Sequence, residues 1–114
     1  MSAITIHILD TSQGKPGAGI PVVLEQKTHA AGWEPLAEGV TNADGRINDL
    51  LETDTVIVPG HYRLVFETGP YFLLQDIECF FPQIAINFVI KDAMQHYHIP
   101  LLLSPFGYTT YRGS

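Results

Sequence analysis

Apolar residues alternate with polar ones at period two in segment after segment of this chain, and each segment closes on a turn signal. No other feature constrains the fold as tightly. Side chains on a strand point alternately to opposite faces, so this alternation builds sheets with one face reserved for a core. In 4–9, Ile4, Ile6 and Ile8 face one way and Thr5, His7 and Leu9 the other. A turn rich in Asp, Ser, Gly and Pro follows (10–19), and 20–26 reads as a second strand. The third, 33–41, is interrupted at Pro35, which predicts an edge or a bulge because proline cannot donate to the ladder. The Asp-Gly pair of Asn42-Ala43-Asp44-Gly45 favours a tight turn into a short fourth strand, 46–50. In 61–68, Tyr62, Leu64 and Phe66 share a face; in 84–90, Ile84, Ile86, Phe88 and Ile90 point inward. Segments 95–103 and 108–112 close the chain around Ser104-Pro105-Phe106-Gly107, and 71–75 breaks the rhythm as one short helix with Pro70 near its first turn. Eight short strands with at most one helix predict an all-β sandwich.

Two facing sheets need apolar mass. The chain has 114 residues, 46% of them hydrophobic and 16% charged, which predicts one globular domain over 1–114. So little charge also predicts that some outer surface is covered by another subunit. A net charge of −6 leaves no basic stripe for phosphates, so no nucleic-acid partner is expected. No segment approaches the roughly 18–20 apolar residues of a membrane span, so no membrane partner is expected either. The lone cysteine, Cys79, forbids an intrachain disulfide and fits a reducing compartment; inside the apolar run 77–81 it reads as a buried thiol. The N-terminus becomes strand-like within three residues, with no charged-then-apolar leader, and the expected location is cytoplasmic.

The chemistry-bearing residues gather at outward positions. His7 lies opposite the isoleucine face of the first strand. His96 and His98 are two apart, hence on one face, with Tyr97, Ile99, Leu101 and Leu103 on the other. Paired histidines at this spacing occur in metal sites, but no Cys, Asp or Glu accompanies them locally, so no metal is expected. Acid–base work suits imidazoles better. Arg46, at the head of its strand, could hold a planar anion bidentately or be a plain surface residue, and Arg63 and Arg112 carry the same alternatives. Asp10 reads as a turn-shaper; His29 and His61 read as loop or surface residues. Neither a G-x-S-x-G elbow, nor a phosphate loop, nor a dinucleotide fingerprint is present. A hydrolase of this kind would therefore use direct attack by water rather than a covalent intermediate.

These residues carry a resemblance. The start ITIHILDTSQGKPGAGIPVVLE, the middle TNADGRI and the end HYHIPLLLSPFGYTTYRGS resemble the 5-hydroxyisourate hydrolases, transthyretin-like enzymes of urate breakdown. The likeness covers nearly the whole chain, and the terminal Tyr-Arg-Gly-Ser is its most specific part. It implies an eight-stranded prealbumin-like (transthyretin-like) sandwich with one short helix. It implies a catalytic set of His7, Arg46 and His98, with Tyr111, Arg112, Gly113 and Ser114 lining the substrate. His96 is the less certain member of its pair. The implied reaction is the opening of the six-membered ring of 5-hydroxyisourate by water, without metal or organic cofactor. The implied assembly is a homotetramer, a dimer of dimers, with sites where dimers meet; peroxisomal and periplasmic relatives exist. Two other readings stand beside it: a transthyretin-type carrier of an aromatic ligand, which the bulky Tyr111 and Arg112 disfavour, and a passive sandwich, which leaves the polar convergence unexplained.

Overall fold

The computed structural model describes residues 3–30, 32–52 and 54–114. The elements in chain order are β1 (Ile4–Asp10), β2 (Lys15–Pro16), β3 (Pro21–Thr28), β4 (Gly32–Val40), β5 (Arg46–Ile47), β6 (Gly60–Glu67), α1 (Gly69–Leu73), β7 (Gln83–Ile90), β8 (Tyr97–Ser104) and β9 (Gly107–Thr110). They form two sheets. One runs β2-β1-β8-β9, with β5 also paired to β1; the other runs β4-β3-β6-β7. All pairings are antiparallel except β1 with β8, which run parallel and in register from Ile4↔Tyr97 to Asp10↔Leu103. A parallel pair needs a crossover. Here the crossover is the rest of the sandwich, since nearly the whole chain intervenes between the two strands.

The core lies where the alternation puts it. Ile4, Ile6 and Ile8 of β1 and Ile99, Leu101 and Leu103 of β8 meet Val22, Leu24, Tyr62, Leu64, Phe66, Ile84 and Ile90 of the opposite sheet, all buried. Truncating one such aliphatic to alanine costs about 2–5 kcal/mol. Ile86 and Phe88, also expected inward, pack against this core but stay partly exposed, because β7 is an edge strand. Among the described residues no helix is long and apolar enough to cross a membrane.

Differences from the sequence reading are local. The fourth strand is Arg46–Ile47 rather than five residues, because Leu50 and Leu51 turn inward to the core. The turn after β1 contains a two-residue pairing, Leu9↔Pro16 and Asp10↔Lys15. Pro35 sits on edge strand β4 beside a bulge at Leu24/Glu25, so both of its alternatives occur together. The helix begins at Gly69, with Pro70 in its first turn. Cys79 is half-buried rather than buried: its segment is an edge loop, and the thiol donates to the Phe81 carbonyl at 3.2 Å. Asp10 shapes its turn as expected and does more. Its carboxylate, 0% exposed, accepts from Ser12, Gln13 and, at 2.8 Å, the hydroxyl of Tyr71 next to Pro70 in α1. Burial alone would raise its pKa, but these donors together hold it below the ordinary carboxylate value. Burial and the same contact push the Tyr71 phenol up to about 12. His29 and His61 are exposed, as read, and Arg63 pairs with Glu25 at 2.6 Å beneath Trp33, outside the first sheet.

Candidate active site

Three paired strands, β5-β1-β8, hold the polar cluster. Arg46, His7 and Pro100 stand side by side in register, and Thr5 stands beside His98. With the isoleucines of β1 inward, Thr5 and His7 must face outward, and His98 joins them on the same surface because Tyr97 and Ile99 are core residues. The Asn42–Gly45 turn delivers Arg46. Asn42 Oδ1 accepts from the backbone N–H of Asp44 and Arg46 at 2.9 and 3.0 Å. Gly45 (φ +72) lies against the Ile8 backbone, with the Ile8 N–H donating to its carbonyl at 2.7 Å. A side chain at Gly45 would collide with the Ile8 carbonyl, so this turn can lie on β1 only as glycine.

His98 is fixed from two sides. Its Nδ1 lies 2.8 Å from Thr5 Oγ1, which is also 3.0 Å from Nε2 of His96. Thr5 is only 2% exposed although it is on the outer face, because the imidazoles cover it. On the other side the chain end folds back: the Gly113 N–H donates to the His98 carbonyl at 2.8 Å. A Cβ on Gly113, which is bridged to His98, would fall 2.6 Å from His98 Cδ2 and 3.1 Å from Pro100 Cγ, so there is no room for a side chain beside the ring. Ser114 follows directly.

Electrostatics bind the cluster together. Burial lowers the pKa of His7 and the Arg46 charge lowers it further; a backbone hydrogen bond to Asp44 and the Asp44 carboxylate push back. Burial lowers His98 too, with Arg46, His7 and His96 adding to the effect. Both imidazoles are therefore neutral at pH 7, able to accept a proton. Among the described residues no carboxylate pairs with Arg46, which leaves its fork open to an anion.

The tail divides. Gly113 meets His98, but Arg112 turns away: its guanidinium lies 4.4 Å over the Tyr97 ring and donates to Gln95 Oε1 at 2.8 Å. Tyr111, 56% exposed, and Arg112 line a crevice of about 280 Å³ between the open edges of the two sheets, with Phe88 and Ile99 in its wall. Within one chain, then, His7, Arg46, His98 and Gly113 converge, while Tyr111 and Arg112 do not join them. Thr5 and Asp44 were not singled out from sequence. The one available signal was that Thr5 shares the outer face with His7; its place beside His98 follows from the β1–β8 register. Among the described residues no three His, Cys, Asp or Glu side chains come together to hold a metal ion.

A sequence-family model described as the HIUase/Transthyretin family matches residues 4–113. The chain belongs to this family. Within it, the chain is 49% identical over 111 residues to a 5-hydroxyisourate hydrolase of Salmonella dublin, covering 97% of this chain and 80% of that protein. The solved 5-hydroxyisourate hydrolase of Klebsiella pneumoniae is 40% identical, with a TM-score of 0.83 over 97% of this chain and 98% of its own. Sea bream transthyretin, solved in complex with thyroxine, is 34% identical, with a TM-score of 0.90 over 98% and 95%. The transthyretin-like sandwich is thus common to both branches of the family, and backbone likeness alone does not separate catalyst from carrier. The side chains on the β5-β1-β8 face have to do so.

Proposed function

We propose that this chain hydrolyses 5-hydroxyisourate in urate degradation, giving 2-oxo-4-hydroxy-4-carboxy-5-ureidoimidazoline. One observation carries the reading: His7, Arg46 and His98 stand on one face of three paired strands, in a chain 49% identical to a named hydrolase. In the reaction as we draw it, Arg46 holds the planar substrate and favours its anionic form. A neutral imidazole takes a proton from water as the water oxygen bonds to the ring carbonyl carbon. The ring C–N bond then breaks, and the departing nitrogen receives the proton back from the imidazole. Such proton transfer contributes about 10²–10⁴-fold, and orientation by Arg46 and the neighbouring strands supplies more. These steps call for water, two imidazoles and a guanidinium, and for no metal or organic cofactor.

Residues 1–114 act, in this proposal, as one domain in a cytoplasmic homotetramer, a dimer of dimers. Support comes from the edges. Strands β7 and β9 each leave one side unpaired, an arrangement that invites pairing with another copy. Val89, Tyr108 and Tyr111 are exposed there. A second contact, outer face against outer face, would cover the histidines, exclude water, and bring Tyr111, Arg112 and Ser114 to a substrate held between copies. Native mass spectrometry should give four copies; a stable monomer at micromolar concentration would remove this enclosure.

The test of function is direct. Purified protein is mixed with freshly made 5-hydroxyisourate and its absorbance followed. Loss no faster than the spontaneous rate would overturn the proposal. The likeness to thyroxine-bound transthyretin supports a second reading, a carrier. Tight thyroxine binding without turnover would favour it.

A further inference from the structure

The Thr5 hydroxyl has one proton to give and two imidazole nitrogens within reach, 2.8 Å away on His98 and 3.0 Å away on His96. A hydroxyl donates once and can accept twice, so the two contacts cannot both be donated by Thr5. Two arrangements satisfy both and also use the Thr5 proton; a third, in which Thr5 accepts from both imidazoles, would leave that proton on a buried hydroxyl without either ring nitrogen to receive it. In the first, Thr5 donates to His98 Nδ1 and His96 donates its Nε2–H to Thr5; neutral His98 then carries its proton on Nε2. In the second, Thr5 donates to His96 Nε2 and accepts from His98 Nδ1–H, which leaves His98 Nε2 with a free lone pair. Thr5 has no slack to escape this choice. It is β-branched on a strand, so its χ1 is stiff, and at 2% exposure water does not substitute for either partner.

We propose that Thr5 is a positioning residue that couples the tautomers of His96 and His98, so that His96 in its Nδ1–H tautomer holds His98 as a base and in its Nε2–H tautomer switches that base off. This deepens the hydrolase reading and rests on it. The second arrangement survives a full cycle. When His98 Nε2 takes the proton of the attacking water, the imidazolium still donates Nδ1–H to Thr5. When it returns that proton to the departing nitrogen, the starting tautomer is restored. In its Nε2–H tautomer His96 donates to Thr5, the Thr5 proton turns toward His98 Nδ1, and the His98 proton sits on Nε2, where it blocks proton acceptance. His96 thereby sets the state of the base without touching substrate. The other titratable or charged side chains around the pair are Arg46 on β5, His7 on β1, Asp44 in the turn before β5, and Arg112, which donates to the His96 carbonyl at 3.4 Å. None of them contacts the Thr5 hydroxyl.

The test combines Thr5→Val, which keeps the branched shape and loses the hydroxyl, with Thr5→Ser, which keeps the hydroxyl, and His96→Asn. Nitrogen-15 NMR of the imidazoles, in resting protein without substrate, should find His98 as the single Nδ1–H tautomer above neutrality in wild type and Thr5→Ser, and as a mixture in Thr5→Val. Thr5→Val should lose about three- to tenfold in kcat, the size of one neutral hydrogen bond, with KM changed less than about twofold; Thr5→Ser should restore it. His96→Asn, which takes away the nitrogen that receives the Thr5 proton, should lower kcat by a similar factor and leave His98 as a mixture of tautomers. The coupling is overturned by a predominant Nε2–H tautomer of His98 in resting wild type, by Thr5→Val matching wild type in kcat, or by His96→Asn matching it. The tautomer measurement needs no turnover, so it separates failure of this inference from failure of the hydrolase assignment.

Discussion

Replacing Gly113 with alanine puts a number on the packing of the chain end against His98. The added methyl carbon would sit 2.6 Å from His98 Cδ2, 3.1 Å from Pro100 Cγ and 3.3 Å from Pro100 Cδ. Carbon atoms prefer ~3.5–4.0 Å, so something must give by about 0.9 Å. Pro100 is held in the β1–β8 ladder beside His7 and yields little. Either the imidazole swings away from Thr5, or the tail lifts and breaks the 2.8 Å Gly113–His98 hydrogen bond. A catalytic group misplaced by about 1 Å loses on the order of 10²-fold in rate. A lifted tail loses one backbone hydrogen bond, about 0.5–1.5 kcal/mol, and with it the placement of Ser114. The assay is steady-state turnover of 5-hydroxyisourate by Gly113→Ala beside a thermal melt. We expect kcat to fall between tenfold and a hundredfold while Tm drops by no more than a few degrees. Turnover within about twofold of wild type would refute the reasoning, because it would mean that His98 does its work without the contact that packs it.

Three further outcomes follow from the same geometry. His98→Asn or Arg46→Glu should cut turnover by about 10²–10⁴-fold while native mass spectrometry still finds the tetramer; loss of assembly instead would make these residues structural. The acid limb of turnover should lie below the ordinary histidine value near 6.5, since His7 and His98 are both lowered; an acid limb above pH 7 contradicts this. The same sign governs stability: these histidines bind protons more readily when unfolded, so their contribution destabilises the fold as pH falls. Asp10 is also lowered, so its stabilisation is complete above the unfolded value near 3.9 and is lost as pH falls through the folded one. Asp10→Asn should cost about 1–3 kcal/mol at pH 7 by urea titration and progressively less as pH falls through the acid range; a cost that does not change with pH would show that its charge is irrelevant.

Much of the site's raw material was legible because it is local. Strand direction alone puts Ile6 inward and His7 outward, and the Asp-Gly turn announces where Arg46 must begin. The resemblance carried by the chain end pointed to His98 and to Tyr111–Ser114. What stayed hidden was non-local. Thr5 gave no sign of its partner, because that partner is 93 residues away. Arg112, grouped with the substrate-lining tail, also covers Tyr97, a contact between the last residues and the start of β8.

The sequence by itself determined which faces are apolar, where the chain turns, and which polar side chains are left outside the core. These follow from the two-residue repeat of an extended backbone and from what glycine, proline and aspartate do within a few bonds. Only the tertiary structure decided that β1 lies parallel to β8 in one particular register, with Thr5 set between two imidazoles and Gly113 against one of them. That register is a property of the whole core. A slip of one residue would turn Ile6 and Ile8 outward, a cost spread over both sheets that no short stretch of sequence records.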